Sequence, residues 1–218
     1  MTSRRKFQEQ FIQNMLKNHK SDSERPCHFS ALEITSLLEL FNKFSGTAGH
    51  KHRLERVRFR DELHKSFQIT DDFLMDRIFR AFDKGSKGYL RPEDFICGLS
   101  TLLVGNLEDQ MKYCFQVYDL NSDGYISREE MFHLLKSTLV KQSTEEDPDE
   151  GVKDLVETAL KKLDCDHDGR VSYPDFKQAV TQDTLMLECL GTCLPNDKSK
   201  KAFLQLIRGE GGCEMWQR

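Results

Sequence analysis

The stretch 119–130, DLNSDGYISREE, places Asp119, Asn121 and Asp123 on alternate positions, follows them with Gly124 and closes with Glu130. A helix would scatter these oxygens around its circumference, and a strand would leave the glycine without a role. A cage around a hard cation uses all of them. Such an ion takes about six to eight oxygens, and a twelve-residue loop supplies them from its first, third, fifth, seventh, ninth and last positions. Here those are Asp119, Asn121, Asp123, the Tyr125 carbonyl, Ser127 directly or through water, and both oxygens of Glu130. Gly124 permits the positive φ that turns the chain back on itself.

The same frame recurs along the chain. Phe115, Tyr118 and Asp119 match Phe79, Phe82 and Asp83, and again Leu160, Leu163 and Asp164. The sixth loop positions are Gly124, Gly88 and Gly169, and the eighth are the apolar Ile126, Leu90 and Val171. A fainter copy runs from Phe41 and Phe44 to Leu54 and Phe59, with a loop two residues longer and without carboxylates. A solvated acidic turn would not explain a repeat set between amphipathic helices. Four helix–loop–helix units in succession are the EF-hand arrangement. The predicted fold is all-α, with two lobes of paired hands. Leu54 is expected opposite Leu90, and Ile126 opposite Val171, in short antiparallel β pairings.

The expected division is an N-terminal amphipathic helix and linker (1–29), an N-lobe of two degenerate hands (30–105), a C-lobe of two ion-binding hands (106–182) and a helical tail (183–218). Ser30 and Glu33 have capping-box spacing. Thr70 is the expected cap of the helix that carries Phe73, Ile78, Phe79 and Phe82 on one face, and VGN at 104–106 is expected to separate the lobes. KQSTEEDPDEG, 141–151, reads as an acidic surface loop.

The loops differ in what they can bind. DCDHDGRVSYPD, 164–175, offers Asp164, Asp166, Asp168, the Arg170 carbonyl, Ser172 and Asp175. Its closing Asp is one methylene shorter than Glu, so a two-oxygen grip is harder and Mg2+ is expected to compete with Ca2+ there. DKGSKGYLRPED, 83–94, has Gly85 and Lys87 where ligands belong, and the loop near 45–58 has Lys51, His52 and Arg58 in or near ligand positions. Both are expected to be empty. The expectation is therefore two Ca2+ ions, both in the C-lobe.

Composition excludes several function classes. The 218 residues carry a formal net charge of −4, which gives no bulk positive field for nucleic acid. No window approaches the roughly 20 apolar residues of a membrane span. Residue 2 is Thr, so no N-myristoyl anchor is expected. The seven cysteines include no CxxC pair and read as free thiols; Cys189 and Cys193 lack partners for a zinc site. No phosphate-cradling glycine loop, GxSxG elbow or HExxH is present, so a non-enzymatic protein is expected.

Ion binding in such hands can expose an apolar groove for a partner helix. The candidates are Met111, Phe115, Met131, Phe132, Leu135 and Met186. The N-terminal RRKFQEQFIQNMLK sets Phe7, Phe11, Ile12 and Met15 along one helical face and is expected to pack on the N-lobe. NDKSKKAFLQLIRG, with Phe203, Leu204 and Ile207, is a candidate to lie in the C-lobe groove.

The repeat resembles neuronal calcium sensor-type EF-hand proteins. TDDFLMDRIFRAFDK, MKYCFQVYDLNSDGYISREEMFHLLK and STEEDPDEGVKDLVETALKKLDCDHDG carry a closer resemblance, to the calaxin family of ciliary calcium sensors, over most of residues 30–195. The resemblance implies a protein of the cytoskeleton, in the axoneme of a cilium or flagellum. It would associate with outer-arm dynein and its docking-complex coiled-coil proteins on doublet microtubules and tune motility with Ca2+. It also implies that the two C-lobe loops hold the ion. The family's fuller second-loop ligand set is missing here, which points to a divergent relative. The alternatives are a cytosolic regulatory subunit of an enzyme, in the manner of calcineurin B, and a Ca2+/Mg2+ buffer.

Overall fold

The structure is a computed structural model that describes residues 3–18, 26–45, 52–138 and 148–210. The repeat becomes four helix–loop–helix hands. They are α2 (Ala31–Phe44) with α3 (Arg56–Phe67), α4 (Asp72–Phe82) with α5 (Pro92–Val104), α6 (Leu107–Tyr118) with α7 (Arg128–Thr138), and α8 (Pro148–Leu163) with α9 (Tyr173–Gln182). Helix α1 (Ser3–Asn18) precedes them; a 3-10 turn (Thr184–Glu188) and α10 (Asp197–Arg208) follow. Among the described residues no helix is long and apolar enough to cross a membrane.

Each pair of loops meets in a two-residue antiparallel ladder, β1 (Leu54–Glu55) with β2 (Tyr89–Leu90) and β3 (Tyr125–Ile126) with β4 (Val171–Ser172). Leu54 faces Leu90 and Ile126 faces Val171, in the expected register. All four side chains are fully buried, each contributing about 1.5–3 kcal/mol by leaving water.

Local chemistry sets the helix starts. Ser30 and Glu33 form the expected capping box, with the Ser30 N–H donating to Glu33 Oε2 at 2.8 Å. The cap of α4 is Asp71 rather than Thr70: its carboxylate accepts the Leu74 N–H at 2.9 Å, and a negative charge suits a helix N-terminus better than a hydroxyl. Phe73 is displaced from the expected apolar face and is 38% exposed, while Leu74, Met75, Ile78 and Phe79 are buried. Helix α8 begins inside the segment read as a loop. Pro148 suits a first helical turn, and Asp149 and Glu150 oppose the helix dipole there. Residues 141–147, like Cys213 and the basic start of α1, lie outside what is described.

Packing divides the chain into two units. The first comprises the described parts of Met1–Gln68, Phe82–Asn106 and Pro195–Arg218; the second comprises Ile69–Ala81 and the described parts of Leu107–Leu194. The division by packing thus cuts across the division by repeat. The border at Asn106 falls at the VGN segment, but most of α4 belongs with the C-lobe hands and α10 with the N-lobe hands.

In the first unit Phe95 meets Phe41 and Phe44 at ring separations of 5.6 and 6.2 Å, and Phe59 meets Phe82 at 5.0 Å. A Cβ on Gly98 would lie 2.3 Å from Phe82, so position 98 must stay bare. Helix α1 packs on α2 and buries Met15; Phe11 and Ile12 of the expected apolar face are half-buried and Phe7 is 66% exposed. Helix α10 does not lie in the C-lobe groove. It packs on α2 and α3, with Phe203 5.1 Å from Phe67 and Arg208 Nε 2.8 Å from Glu33 Oε1.

In the second unit Phe115, Tyr173, Phe176 and Tyr118 form an aromatic cluster. The 3-10 turn and the residues after it pack on α6 and α9, burying Leu187, Leu190 and Cys193. The Tyr118 hydroxyl lies 2.7 Å from the Gly191 carbonyl, which fastens this segment to the end of α6. Of the candidate groove residues, Met111, Phe115, Met131 and Leu135 are core, while Phe132 and Met186 are partly exposed.

Candidate metal centre

Three loops share one backbone. Their fourth residues, Ser86, Ser122 and His167, take left-handed φ values of 48°, 63° and 63°, and their sixth, Gly88, Gly124 and Gly169, take 77°, 90° and 92°. In each, the first carboxylate accepts the sixth residue's N–H: Asp83 from Gly88 at 2.7 Å, Asp119 from Gly124 at 2.9 Å and Asp164 from Gly169 at 3.0 Å. The first and twelfth side chains of all three loops are buried. Buried carboxylates are stable only with hydrogen-bond or charge partners.

In 119–130 the polar side chains converge. Asp119 Oδ1 and Asn121 Oδ1 both accept the Asp123 N–H, at 3.2 and 2.8 Å, and Asn121 Nδ2 donates to Asp123 Oδ2 at 2.9 Å. Glu130 spans the loop. Its Oε2 accepts the Ser127 N–H and hydroxyl, both at 2.8 Å; its Oε1 accepts the N–H groups of Leu120 and Asn121 at 2.8 and 3.0 Å. Ser127 and Glu130 also cap α7, because the Glu130 N–H donates to the Ser127 hydroxyl. The closing carboxylate is therefore part of both the loop and the exit helix.

In 164–175 the carboxylates of Asp164, Asp166 and Asp168 each place an oxygen within 4.8 Å of the others. The Asp168 N–H draws the Asp166 carboxyl down, but desolvation and the charges of Asp168 and Asp175 carry it above the ordinary carboxylate value. An acidic cluster with uncompensated charge suits a dication. Asp175 Oδ2 accepts from the Ser172 N–H at 3.1 Å and from the Ser172 hydroxyl, capping α9. No hydrogen bond from the Asp175 carboxylate crosses to the far side of its loop among the described residues, in contrast to that of Glu130; only the Asp175 main-chain carbonyl is reached, by the Cys165 thiol. The missing methylene accounts for this.

The seventh residues join the two loops. The Arg170 guanidinium lies over the Tyr125 ring, 3.9 Å from its centre, and Arg170 Nε is 3.4 Å from Asp168 Oδ2. All ten residues predicted as ligands lie in two loops joined by the β3–β4 ladder, and they offer the all-oxygen donor set that Ca2+ and Mg2+ favour.

The loop 83–94 keeps the frame without the chemistry. Asp83 Oδ1 is buried without a hydrogen-bond partner. A Cβ on Gly85 would lie 2.8 Å from Lys87 Cε, so the lysine chain occupies the space a third-position ligand needs. Of the first loop, 46–51 lie outside what is described, including His50 and Lys51; His52 and Arg58 are exposed.

The cysteines form no further centre among the described residues. Cys193 Sγ is 3.4 Å from Cys114 Sγ, and Cys189 belongs to no such pair; burial pushes the Cys189 thiol up to about 12, against the thiolate that zinc requires. One residue that touches the loop escapes a motif search. Arg77, on α4, reaches the main chain at the mouth of loop 119–130. Its only sequence signal is a cation set among the core residues Leu74, Met75, Ile78 and Phe79.

Comparison with known proteins finds EF-hand relatives. The EF-hand domain pair family matches residues 108–181. Calaxin of Xenopus laevis is 51% identical over 193 residues, covering 87% of this chain and 93% of that protein. Calaxin of Homo sapiens is 52% identical over 179 residues, covering 81% and 85%. A calcium-binding protein of Dictyostelium discoideum, NCSA, is 32% identical over 110 residues, half of this chain.

Proposed function

Because the chain belongs to the calaxin family of EF-hand calcium-binding proteins, we propose that it is a Ca2+-responsive, non-catalytic adaptor of a ciliary or flagellar axoneme, binding outer-arm dynein and its docking complex. The observation that supports this reading is the carboxylate cluster of Asp164, Asp166 and Asp168 beside the oxygen-rich loop 119–130, together with family likeness along most of the chain. Asp119, Asn121, Asp123, the Tyr125 carbonyl, Ser127 and Glu130 would hold one ion. Asp164, Asp166, Asp168, the Arg170 carbonyl, Ser172 and Asp175 would hold a second, with Mg2+ competing. A bound Ca2+ supplies positive charge that neutralises the carboxylates of its loop.

The chain's own residues link that charge to shape. Glu130 and Asp175 lie in the first turns of α7 and α9, so any shift of these carboxylates is felt by the helix it caps. Helix α7 lines a cleft of about 400 Å³ against α8, with Phe132, His133 and Val156 in its walls. Arg128 and Glu157 form an ion pair at that cleft. A partner helix entering the cleft would bury Phe132 and displace that pair.

The test is expression of tagged full-length chain in ciliated cells. It is expected on the axoneme, leaving with outer-arm dynein on high-salt extraction, with capture of dynein and docking-complex subunits that changes with Ca2+. Recovery in the soluble cytoplasm with an enzyme, or with no partner, would overturn the axonemal reading and leave the regulatory-subunit or buffer alternatives.

A further inference from the structure

Arg77 stands midway along α4 and is only 5% exposed. Every hydrogen bond it makes among the described residues goes to a main-chain carbonyl. Nε donates to Val117 at 3.1 Å, Nη1 to Leu120 at 2.9 Å, and Nη2 to Asp119 and, at 3.4 Å, to Gln116. Gln116 and Val117 belong to the last turn of α6; Asp119 and Leu120 are the first two positions of the ion loop. The final carbonyls of a helix lack intrahelical partners and carry negative partial charge. A guanidinium from a helix of a different hand supplies that cap.

A purely structural cap does not explain its placement. Loop 164–175 reaches the same left-handed geometry, with His167 at 63° and Gly169 at 92°. Yet no side chain donates to the carbonyls of 161–165 among the described residues. The clasp is therefore unnecessary for the loop's shape. What it adds is a tie between the loop and α4: burial, and then Arg80, work against the guanidinium's charge, and Asp119 and Glu130 offset them in part.

The geometry points to Arg77 as the positioning residue that passes the charge state of loop 119–130 to α4, the helix leading into the second hand. This rests on Ca2+ binding at that loop, as proposed above. While Asp119 and Glu130 are uncompensated, they draw the guanidinium in and hold α4 against the mouth of the loop. With a dication bound among them, Asp119 and Glu130 would no longer draw the guanidinium in, and Arg77 would hold α4 less tightly. α4 runs without a break to Phe82, the residue before Asp83, which opens the second loop.

Hydrogen exchange on the full chain, with and without Ca2+, reads loop and helix separately. In the wild type, Ca2+ should slow exchange in 119–130 and 164–175 and speed it in 72–81 by about five-fold or more, the size of a typical coupling. Arg77→Met should keep the loop protection and lose the Ca2+ effect on α4, which then exchanges fast in both states. Arg77→Lys, which keeps the charge without the fork, should restore part of the effect. Glu130→Gln should abolish it, and Asp164→Asn should not. An α4 response that is absent in the wild type, or intact in Arg77→Met, overturns the proposal. If Arg77→Met does not fold, Arg77→Lys decides: a response of wild-type size overturns the clasp, and a reduced one supports it. Absence of protection at 119–130 in the wild type is a different failure, that of Ca2+ binding itself.

Discussion

Loops 83–94 and 119–130 turn through the same backbone, with Ser86 and Ser122 left-handed at the fourth position and Gly88 and Gly124 at the sixth. Each contributes an apolar eighth residue to a two-residue ladder, and each keeps a buried carboxylate at both ends. Their ligand positions differ at the third, fifth, ninth and twelfth residues, and the third and fifth matter most. Where the second offers Asn121 and Asp123, the first has Gly85 and Lys87, and Asp83 Oδ1 is left without a partner. The frame of a hand is held by its glycine, its ladder and its caps; the ion site is an addition to that frame. A hand can lose its third- and fifth-position oxygens and remain a hand.

The most severe way to break this contrast is to remove the span of Glu130. Glu130→Gln keeps the cap on α7 but loses the charge, and Ca2+ affinity at 119–130 is expected to fall on the order of 100-fold, since charge count tunes these sites over decades. Titration calorimetry should show one strong site in place of two; two unchanged sites would refute the ligand assignment. The converse experiment builds an ion site into the degenerate loop. Gly85→Asp with Lys87→Asp supplies both missing carboxylates and clears the lysine chain that would clash with a side chain at 85. A third bound Ca2+ per chain, seen by equilibrium dialysis, is the expected result. A stoichiometry that stays at two would mean that the two frames differ in more than side chains.

A smaller change sharpens the comparison within the second unit. Asp175→Glu restores the reach that lets Glu130 cross its loop, and should raise the preference of 164–175 for Ca2+ over Mg2+ by roughly several-fold. Competition titration in millimolar Mg2+ measures it. The smallest effect expected is in the first unit, which acid should loosen at α10. Desolvation pushes the Glu33 carboxyl up, but the Ser30 N–H and the Arg208 guanidinium together hold it below its ordinary 4.5. The stabilisation is therefore complete above that value and is lost as pH falls through the lower folded one. Glu33→Gln should remove this pH dependence and slightly lower the melting temperature at neutral pH; proteolysis after Arg208 reports the release of α10.

Most of this was legible in the residues themselves. The twelve-residue loops carry position-specific chemistry, so Asp119 to Glu130 and Asp164 to Asp175 could be assigned one by one. The ladder register followed from the apolar eighth residues. Signals of contact across long sequence distances were weaker. The apolar stripe of α10 shows that it must bury Phe203 and Ile207, but an amphipathic stripe does not specify its partner, and the helix packs on α2 and α3 rather than in the C-lobe. The cap of α4 moved by one residue because Asp71 competes with Thr70. Arg77 was invisible because its partners are backbone carbonyls, which have no sequence signature.

The exchange of helices between the units also orders the assembly of the chain. Translation releases the front of the molecule first. The first unit cannot close until α10 emerges, since Phe203 and Arg208 supply partners for Phe67 and Glu33. The second unit draws on α4, already made long before. The half that leaves the ribosome first is therefore the half that finishes last, and until α10 arrives its exposed apolar face is open to chaperones.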